Sequence, residues 1–234
     1  MKLYVGTSGY SYKEWKGSFY PEKIPAAEML SYYASRLPAV ELNNTFYRMP
    51  QRSMVESWKT QVPGDFRFSV KAAQRITHFK RLKEAGEETK YMLETVSALE
   101  DRLGVVLFQL PPNMKKDLER LETFLRDLPP QTPAAFEFRH PTWFEDDVLE
   151  LLRSQNRALC VSDTDDLPAN HIDKTADWGY LRLRRVQYSE ADLAEWMKRI
   201  YAQQWKTAFV FFKHEDEGTG PKLAAQFIEL SKTL

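Results

Sequence analysis

The residues best suited to chemistry recur in short clusters, each following an apolar or β-rich run. Glu41-Leu42-Asn43-Asn44 follows Ala39-Val40, and Lys71 ends a β-rich run that leads on to Arg75 and His78. Gln109 precedes Pro111-Pro112, and Glu137 stands just ahead of Arg139-His140. Asp163 follows Cys160-Val161, Arg182 and Arg184 alternate with leucines, and Lys213-His214-Glu215-Asp216 follows the last β-rich run. Three of the four histidines therefore fall just after such runs. Histidine titrates near neutral pH and can carry a proton or bind a metal. Glu41, between Val40 and Leu42, needs either a partner or a wet surrounding, because burying a lone carboxylate is costly. Lys71 or Arg139 would supply the partner.

These types define an expected site. Glu41, His78, His140 and Asp163 are its catalytic candidates, with an acid accepting a proton and a histidine donating one. Lys71, Arg139 and Arg182 would hold an anion through charge-assisted hydrogen bonds. Asn43 and Gln109 can both donate and accept. Tyr47 and Trp143 would position an aromatic or sugar moiety. Each has a structural alternative: ion pairing for Glu41, strand-end capping for Asn43 and Gln109, and loop packing for the aromatics.

Other chemistries find less support. No cofactor is predicted. Glu41, His78, Glu137, His140, Asp163 and His214 are suitable ligand types for a divalent ion. The sequence has no H-x-H, H-E-x-x-H or clustered-cysteine motif, so no metal site is assigned. It has no serine nucleophile elbow. Gly6-Thr7-Ser8-Gly9 is neither a dinucleotide fingerprint nor a phosphate-binding P-loop. The lone Cys160 sits in Ala158-Leu159-Cys160-Val161 and reads as a packed core thiol.

Positioning these residues takes a repeating framework. Strands are predicted at Leu3–Val5, Ala39–Asn43, Phe66–Lys71, Gly104–Gln109, Ala135–Arg139, Ala158–Val161, Gly179–Arg184 and Thr207–Phe212. Helical periodicity separates them at Ala26–Arg36, Ser53–Thr60, Leu82–Leu103, Asp117–Leu128, Glu145–Leu152, Ala191–Trp205 and Lys222–Leu234. The polar segment Asp163–Asp177 lacks that periodicity and is expected to be a loop. Eight strands alternating with helices over 234 residues predict one α/β domain, residues 1–234, folded as a closed (β/α)8 TIM barrel, with a doubly wound open sheet as the alternative. A helix is irregular or missing after the sixth strand. In such a barrel the strand C-termini converge on one mouth, which is where the clusters above fall.

The chain carries 33 Lys+Arg against 33 Asp+Glu, which argues against a protein coated in positive charge for bulk DNA binding. The balance hides a local feature. From Phe66 to Lys83 there are Arg67, Lys71, Arg75, Lys80, Arg81 and Lys83 and no acid. If they share a face, that face is positive; otherwise they are ordinary solvated side chains. No apolar window has the length of a membrane span or a secretory signal, and one cysteine cannot form an internal disulfide. The expectation is a cytoplasmic protein with no membrane association, a monomer or weak homo-oligomer. Its partner would be an anionic small molecule, with nucleic acid as the alternative.

Five motifs occur together and in order. They are Gly6-Thr7-Ser8-Gly9-Tyr10-Ser11-Tyr12 with Trp15-Lys16-Gly17 and Phe19-Tyr20-Pro21; Val40-Glu41-Leu42-Asn43-Asn44-Thr45-Phe46-Tyr47-Arg48; Lys71 with Ile76-Thr77-His78; Gln109-Leu110-Pro111-Pro112; and Phe138-Arg139-His140-Pro141-Thr142-Trp143-Phe144. On these motifs the chain resembles the YecE-like family, a domain family of unknown function. The resemblance implies a TIM barrel with a polar pocket at its C-terminal mouth and no established reaction. It carries over to Glu41, Asn43, Tyr47, Lys71, His78, Gln109, Arg139, His140 and Trp143, and to Asp163 as an acidic position after strand six. The chain departs from the family late. Arg184-Arg185 stands where many members have His-Gly, and Phe212-Lys213-His214-Glu215-Asp216 replaces an Asn-rich strand end.

The leading functional expectation is acid–base chemistry at the mouth on a phosphate-bearing small molecule or nucleic acid. A sugar-acting isomerase or hydrolase, and a noncatalytic anion- or protein-binding barrel, are the alternatives.

Overall fold

Side chains alternate across a β-strand, so each strand offers one face to a barrel interior and one to a helical layer. The computed structural model describes residues 1–169, 171–214 and 216–232. Its strands are β1 (Lys2–Ser8), β2 (Ala39–Leu42), β3 (Arg67–Lys71), β4 (Leu103–Gln109), β5 (Ala134–Glu137), β6 (Ala158–Asp163), β7 (Trp178–Leu183) and β8 (Thr207–Phe212). All neighbours are parallel, and β8 pairs with β1 to close the barrel in sequence order.

The interior face carries Tyr4, Ala39, Val105, Leu107, Ala135, Ala158, Cys160, Tyr180, Phe209 and Phe211. Small alanines beside large rings fill the lumen without overpacking. The opposite face meets the helices in two larger apolar clusters. Gly6 is required where β1 meets β2, since a Cβ there would lie 1.8 Å from the Ala39 carbonyl oxygen.

The helices are α1 (Met29–Ala34), α2 (Asn44–Tyr47), α3 (Arg52–Thr60), α4 (Gly86–Val96), α5 (Leu118–Asp127), α6 (Asp146–Ser154), α7 (Glu190–Ala202) and α8 (Thr219–Ser231). Their starts follow local chemistry where caps are present. Asp117 accepts the Arg120 amide at the head of α5, and Ser189 with Asp192 forms a reciprocal capping box on α7.

Two expected helices are shorter than the periodicity implied. Ala26–Arg36 is a 3-10 turn (Ala26–Glu28) followed by α1. Leu82–Leu103 is α4 alone, followed by 3-10 turns over Ser97–Arg102. Arg81, Leu82, Glu84 and Glu100 adopt positive φ, a left-handed backbone that ends helical geometry while leaving apolar spacing intact. The last two residues of the expected Lys222–Leu234 helix, and Glu215, lie outside the described residues. The polar segment after β6 contains no helix among the described residues, as expected. No described helix is long and apolar enough to cross a membrane.

The positive run does not form one face. Arg67 lies at the opposite end of β3 from Lys71, bound to the Gly64 and Phe66 carbonyls. Arg75 and Lys80 both pair with Glu88. Of that run, Lys71 alone stands at the C-terminal end of a strand.

Candidate functional site

Strand parity places a polar layer directly above the apolar lumen. Glu41, Gln109, Glu137 and Arg182 each lie two positions beyond a lumen residue, and Ser8 lies four beyond Tyr4; Ser69 joins them through the Tyr180 hydroxyl. Glu41, Glu137 and Arg182 are almost completely buried. Arg182 joins the two acids: Nη2 lies 2.8 Å from Glu41 Oε1, and Nη1 2.6 Å from Glu137 Oε2.

Each carboxylate takes further partners. Glu41 Oε1 also accepts from Ser8 Oγ at 2.7 Å and from Asn43 Nδ2 at 3.1 Å. Its Oε2 accepts the Tyr180 hydroxyl at 2.6 Å, and that hydroxyl lies 2.6 Å from Ser69 Oγ. Glu137 Oε1 accepts from Gln109 Nε2 at 2.8 Å and from Arg139 Nε at 3.1 Å. Arg184 Nη1 lies 3.7 Å from the same oxygen.

Burial by itself would raise both acids' pKa values. For Glu41, the Arg182 charge and the bonds from Tyr180 and Ser8 outweigh it and lower the pKa. For Glu137, Arg182, Arg139 and Arg184 outweigh it and hold the carboxyl down at about 2. Both acids are therefore fixed as anions. A lowered pKa and several hydrogen bonds make each a weaker proton acceptor than a free carboxylate. For Glu41 the structure shows the ion-pair alternative, with Arg182 as the partner in place of Lys71 or Arg139.

Lys71 has a different environment. Its Nζ lies 4.1 Å from the Phe46 ring centroid and makes no ion pair or hydrogen bond among the described residues. Partial burial lowers its pKa to about 8; Arg182 and Arg139 push the same way, against Glu137 and Glu41. His78 packs edge-on against the same Phe46 ring at 4.8 Å, with Nδ1 2.9 Å from Thr77 Oγ1. Burial, then the charges of Lys71, Arg139 and Arg81, lower the His78 pKa and favour the neutral imidazole.

The structure thus gathers Glu41, Asn43, Lys71, Gln109, Arg139 and Arg182 into one charged layer, with His78 beside Lys71 across Phe46. His140 is half-buried at the head of the turn Pro141–Phe144, its Nδ1 engaged by Thr142. Tyr47 is 75% exposed and touches Phe46.

Two expectations fail on geometry. Trp143 is fully buried, stacked on Phe138 at 4.6 Å, and donates Nε1–H to the Met114 carbonyl. It anchors a loop and has no face to offer a ligand. Asp163 shares parity with Leu159 and Val161 and so points away from the lumen. It accepts from the Ala169 amide, Arg185 Nε and the Tyr188 hydroxyl, tying together the segments after β6 and β7.

Four network members lay outside the expected site: Glu137, Tyr180, Ser8 and Ser69. Parity is the signal that finds them, because Tyr180 and Glu137 stand on the inward faces of β7 and β5. Arg184 continues the same inward face as Tyr180 and Arg182. His214 is buried at the end of β8 and bonds the Arg185 carbonyl.

A cavity of about 560 Å³ opens beside the layer. Glu137, Arg139 and Arg184 line the side next to the layer, Ser162, Thr164, Asp166, His171 and Asp173 add further polar groups, and Phe138, Phe144, Leu159, Val161 and Leu167 are among its apolar lining. It lies against the irregular segment that stands after β6 where a helix would otherwise pack. No group of three or more His, Cys, Asp or Glu placed to hold a metal ion occurs among the described residues.

Comparison with known proteins bears on the family rather than the reaction. UPF0759 protein YunF of Bacillus subtilis is 24% identical, over 97% of this chain and 94% of its own. UPF0759 protein YecE of Escherichia coli is 30% identical over 61% of this chain and 50% of its own. The crystal structure of a DUF72 family protein from Thermotoga maritima superposes with a TM-score of 0.85 at 28% identity, covering 99% of this chain and all of that one. A second, from Enterococcus faecalis, shares the fold with a TM-score of 0.78 at 20% identity, over 99% of this chain and 98% of that one. Residues 4–233 match the family described as "Protein of unknown function DUF72", and with the YecE-like motifs and the closed eight-stranded barrel in place, the chain belongs to that family.

Proposed function

We propose that this barrel is an enzyme that binds a phosphate-bearing substrate at its C-terminal mouth and acts on it by acid–base chemistry. The observation that carries the reading is the charge imbalance around the two buried acids. Glu41 and Glu137 face the buried Arg182, the half-buried Arg184 and Lys71 and the exposed Arg139, so the cations outnumber the anions by two when Lys71 is protonated. At a mouth partly withdrawn from water that surplus favours an anionic ligand. Arg182 is committed to the two acids. Arg139 and Arg184 retain partial exposure and border the cavity, which suits them to a phosphate.

Lys71 is the preferred proton carrier in this reading, because its pKa of about 8 lies close to neutral pH. His140 and His78 are the proposed donors, His78 passing on a proton taken up from solvent because its neutral form is favoured. For the sugar-acting alternative, Glu41 and Glu137 would be the carboxylate pair, and with both held ionised that pair lacks its general acid. Asp163 has no place in the proposed chemistry.

Calorimetric titration tests the binding step with inorganic phosphate, glucose 6-phosphate, AMP and a 5′-phosphorylated oligonucleotide. Tight binding of at least one, weakened about tenfold or more in Arg139→Gln/Arg184→Gln, supports the reading. Absence of binding, or binding indifferent to both arginines, overturns it. The oligonucleotide arm separates a nucleic acid end from a small phosphomonoester. Turnover of the bound compounds, with and without divalent ions, then separates an enzyme from a noncatalytic anion-binding barrel.

A further inference from the structure

We propose that Lys71 is a carbonyl-reactive lysine that forms an imine with an aldehyde or ketone substrate seated at the barrel mouth. The inference rests on the reading above for the phosphate half of the substrate, names the reacting half as a carbonyl, and gives Lys71 the part of nucleophile in place of proton carrier.

Lys71 ends β3 on the lumen parity, two residues after Ser69. The acids that would normally neutralise it, Glu41 and Glu137, are both taken by Arg182. Among the described residues Lys71 therefore has no carboxylate within ion-pairing distance. Its Nζ instead rests 4.1 Å from the Phe46 ring centroid, and the side chain is only half-buried. The charged and titratable groups acting on it are Arg182, Arg139, Glu137 and Glu41, with His78 beside it on Phe46.

This arrangement suits a nucleophile. A lysine partly withdrawn from water and set among other cations has a larger neutral fraction at ordinary pH, although the Phe46 ring face favours the ammonium, and only the neutral amine attacks a carbonyl. The fall of its pKa to about 8 agrees with that geometry. A lysine kept only for fold stability is expected to touch a carboxylate or a carbonyl. Lys71 touches neither among the described residues.

The step balances without an outside oxidant. The amine lone pair forms the C–N bond, the carbonyl π pair moves to oxygen, and one amine proton passes to that oxygen. The carbinolamine then takes up a proton, which His78 is positioned to relay from solvent. Its C–O bond breaks, water leaves with the bonding pair, and the nitrogen lone pair closes the iminium. A phosphate elsewhere on the substrate would meet Arg139 and Arg184.

Reductive trapping tests this. The whole chain is incubated with sodium cyanoborohydride and either dihydroxyacetone phosphate or dihydroxyacetone, and adducts are located by peptide mass spectrometry. The inference predicts modification of Lys71 at least tenfold faster than of the exposed lysines. Rates should level off a little above pH 8, and the phosphorylated probe should be favoured. In Arg139→Gln/Arg184→Gln that preference should vanish while the Lys71 adduct persists. Equal labelling of Lys71 by both probes would support the imine and overturn the phosphate reading. Labelling of Lys71 no faster than the exposed lysines, in a chain that binds phosphate, would overturn the imine and leave the phosphate reading standing.

Discussion

Arg182 donates through Nη1 to Glu137 Oε2 at 2.6 Å, with both side chains almost wholly removed from water. They reach each other from β7 and β5, so the contact crosses the mouth rather than running along one strand. Its consequence is a strong dependence on both partners. Replacing Arg182 by Met strands Glu41 and Glu137 as buried neighbouring anions. Removing one member of a buried ionic group typically costs about 3–5 kcal/mol. The expected result is a loss of that order in urea unfolding of Arg182→Met. A loss below about 1 kcal/mol would mean that water reaches the layer freely.

Acid should weaken the fold through Glu137 in a defined window. Its native pKa is held at about 2, against an ordinary value of 4.5. A depressed carboxyl contributes stability that is complete above its unfolded pKa and is lost as pH falls through the folded one. Glu137 should therefore withdraw its contribution between about pH 4.5 and pH 2. Chemical unfolding from pH 6 to pH 2.5 checks this: Glu137→Gln should start less stable than the native chain and lose less as the pH falls. Parallel curves would remove Glu137 from the acid response.

Much of the barrel was legible because its signals are local. Short runs rich in β-branched and aromatic residues, such as Gly104–Gln109, mark strands, and prolines and a lapse in helical spacing mark the connections, including the segment after β6 that holds no helix among the described residues. The charged layer was legible only by residue type. Glu41, Lys71, Arg139 and Arg182 were singled out, but their pairings depend on register across the barrel, which no local pattern encodes. Asp163 shows what parity adds. It is one residue beyond Ser162, which shares the lumen face with Cys160, and that single step turns it to the helical side. Trp143 misled for a different reason: an indole beside a predicted mouth looks the same in sequence whether it packs a loop or faces a ligand.

Lys71 should destabilise the fold at neutral pH and cease to do so in alkali. Its native pKa is about 8 against an ordinary 10.5. Below pH 8 the ammonium is present in both folded and unfolded chains and the cost of holding it in the layer is complete. Between about pH 8 and 10.5 the folded chain gives up its proton first, so stability attributable to Lys71 rises with pH. Lys71→Met should then be more stable than the native chain at pH 7, by roughly 1–3 kcal/mol. The difference should shrink towards zero by pH 10.5. Thermal unfolding of both proteins across pH 7–10.5 measures it, and a constant difference would contradict the assignment.

Asp163 should govern loop order. Its carboxylate holds the Ala169 amide at 3.0 Å, Arg185 Nε at 2.8 Å and the Tyr188 hydroxyl at 2.9 Å. In Asp163→Asn one acceptor oxygen becomes a donor, and a buried hydrogen-bonding group left unmatched costs about 1–3 kcal/mol. Hydrogen exchange should quicken in residues 164–169 and 184–188 while the interiors of β2 and β5 stay protected. A general base in the same position would lose turnover without that loosening, so the two roles separate in one variant.

Cys160 offers the last test, because it is the chain's only thiol. It projects into the lumen from β6 and also borders the cavity near Glu137. Burial, reinforced by the Glu137 charge, raises its pKa well above that of a free thiol. Only the thiolate reacts with alkylating agents, so even a small reagent that enters the cavity meets an inert group. Iodoacetamide at pH 7.5 should modify the native protein at least a hundredfold more slowly than the urea-unfolded chain, which should take up one equivalent. Arg182→Met should speed the reaction if loosening the charged layer lets water into the lumen. Rapid alkylation of the untouched native protein would mean that the lumen beneath Glu137 is already wet. The low pKa assigned to that carboxylate would then need a cause other than its arginines.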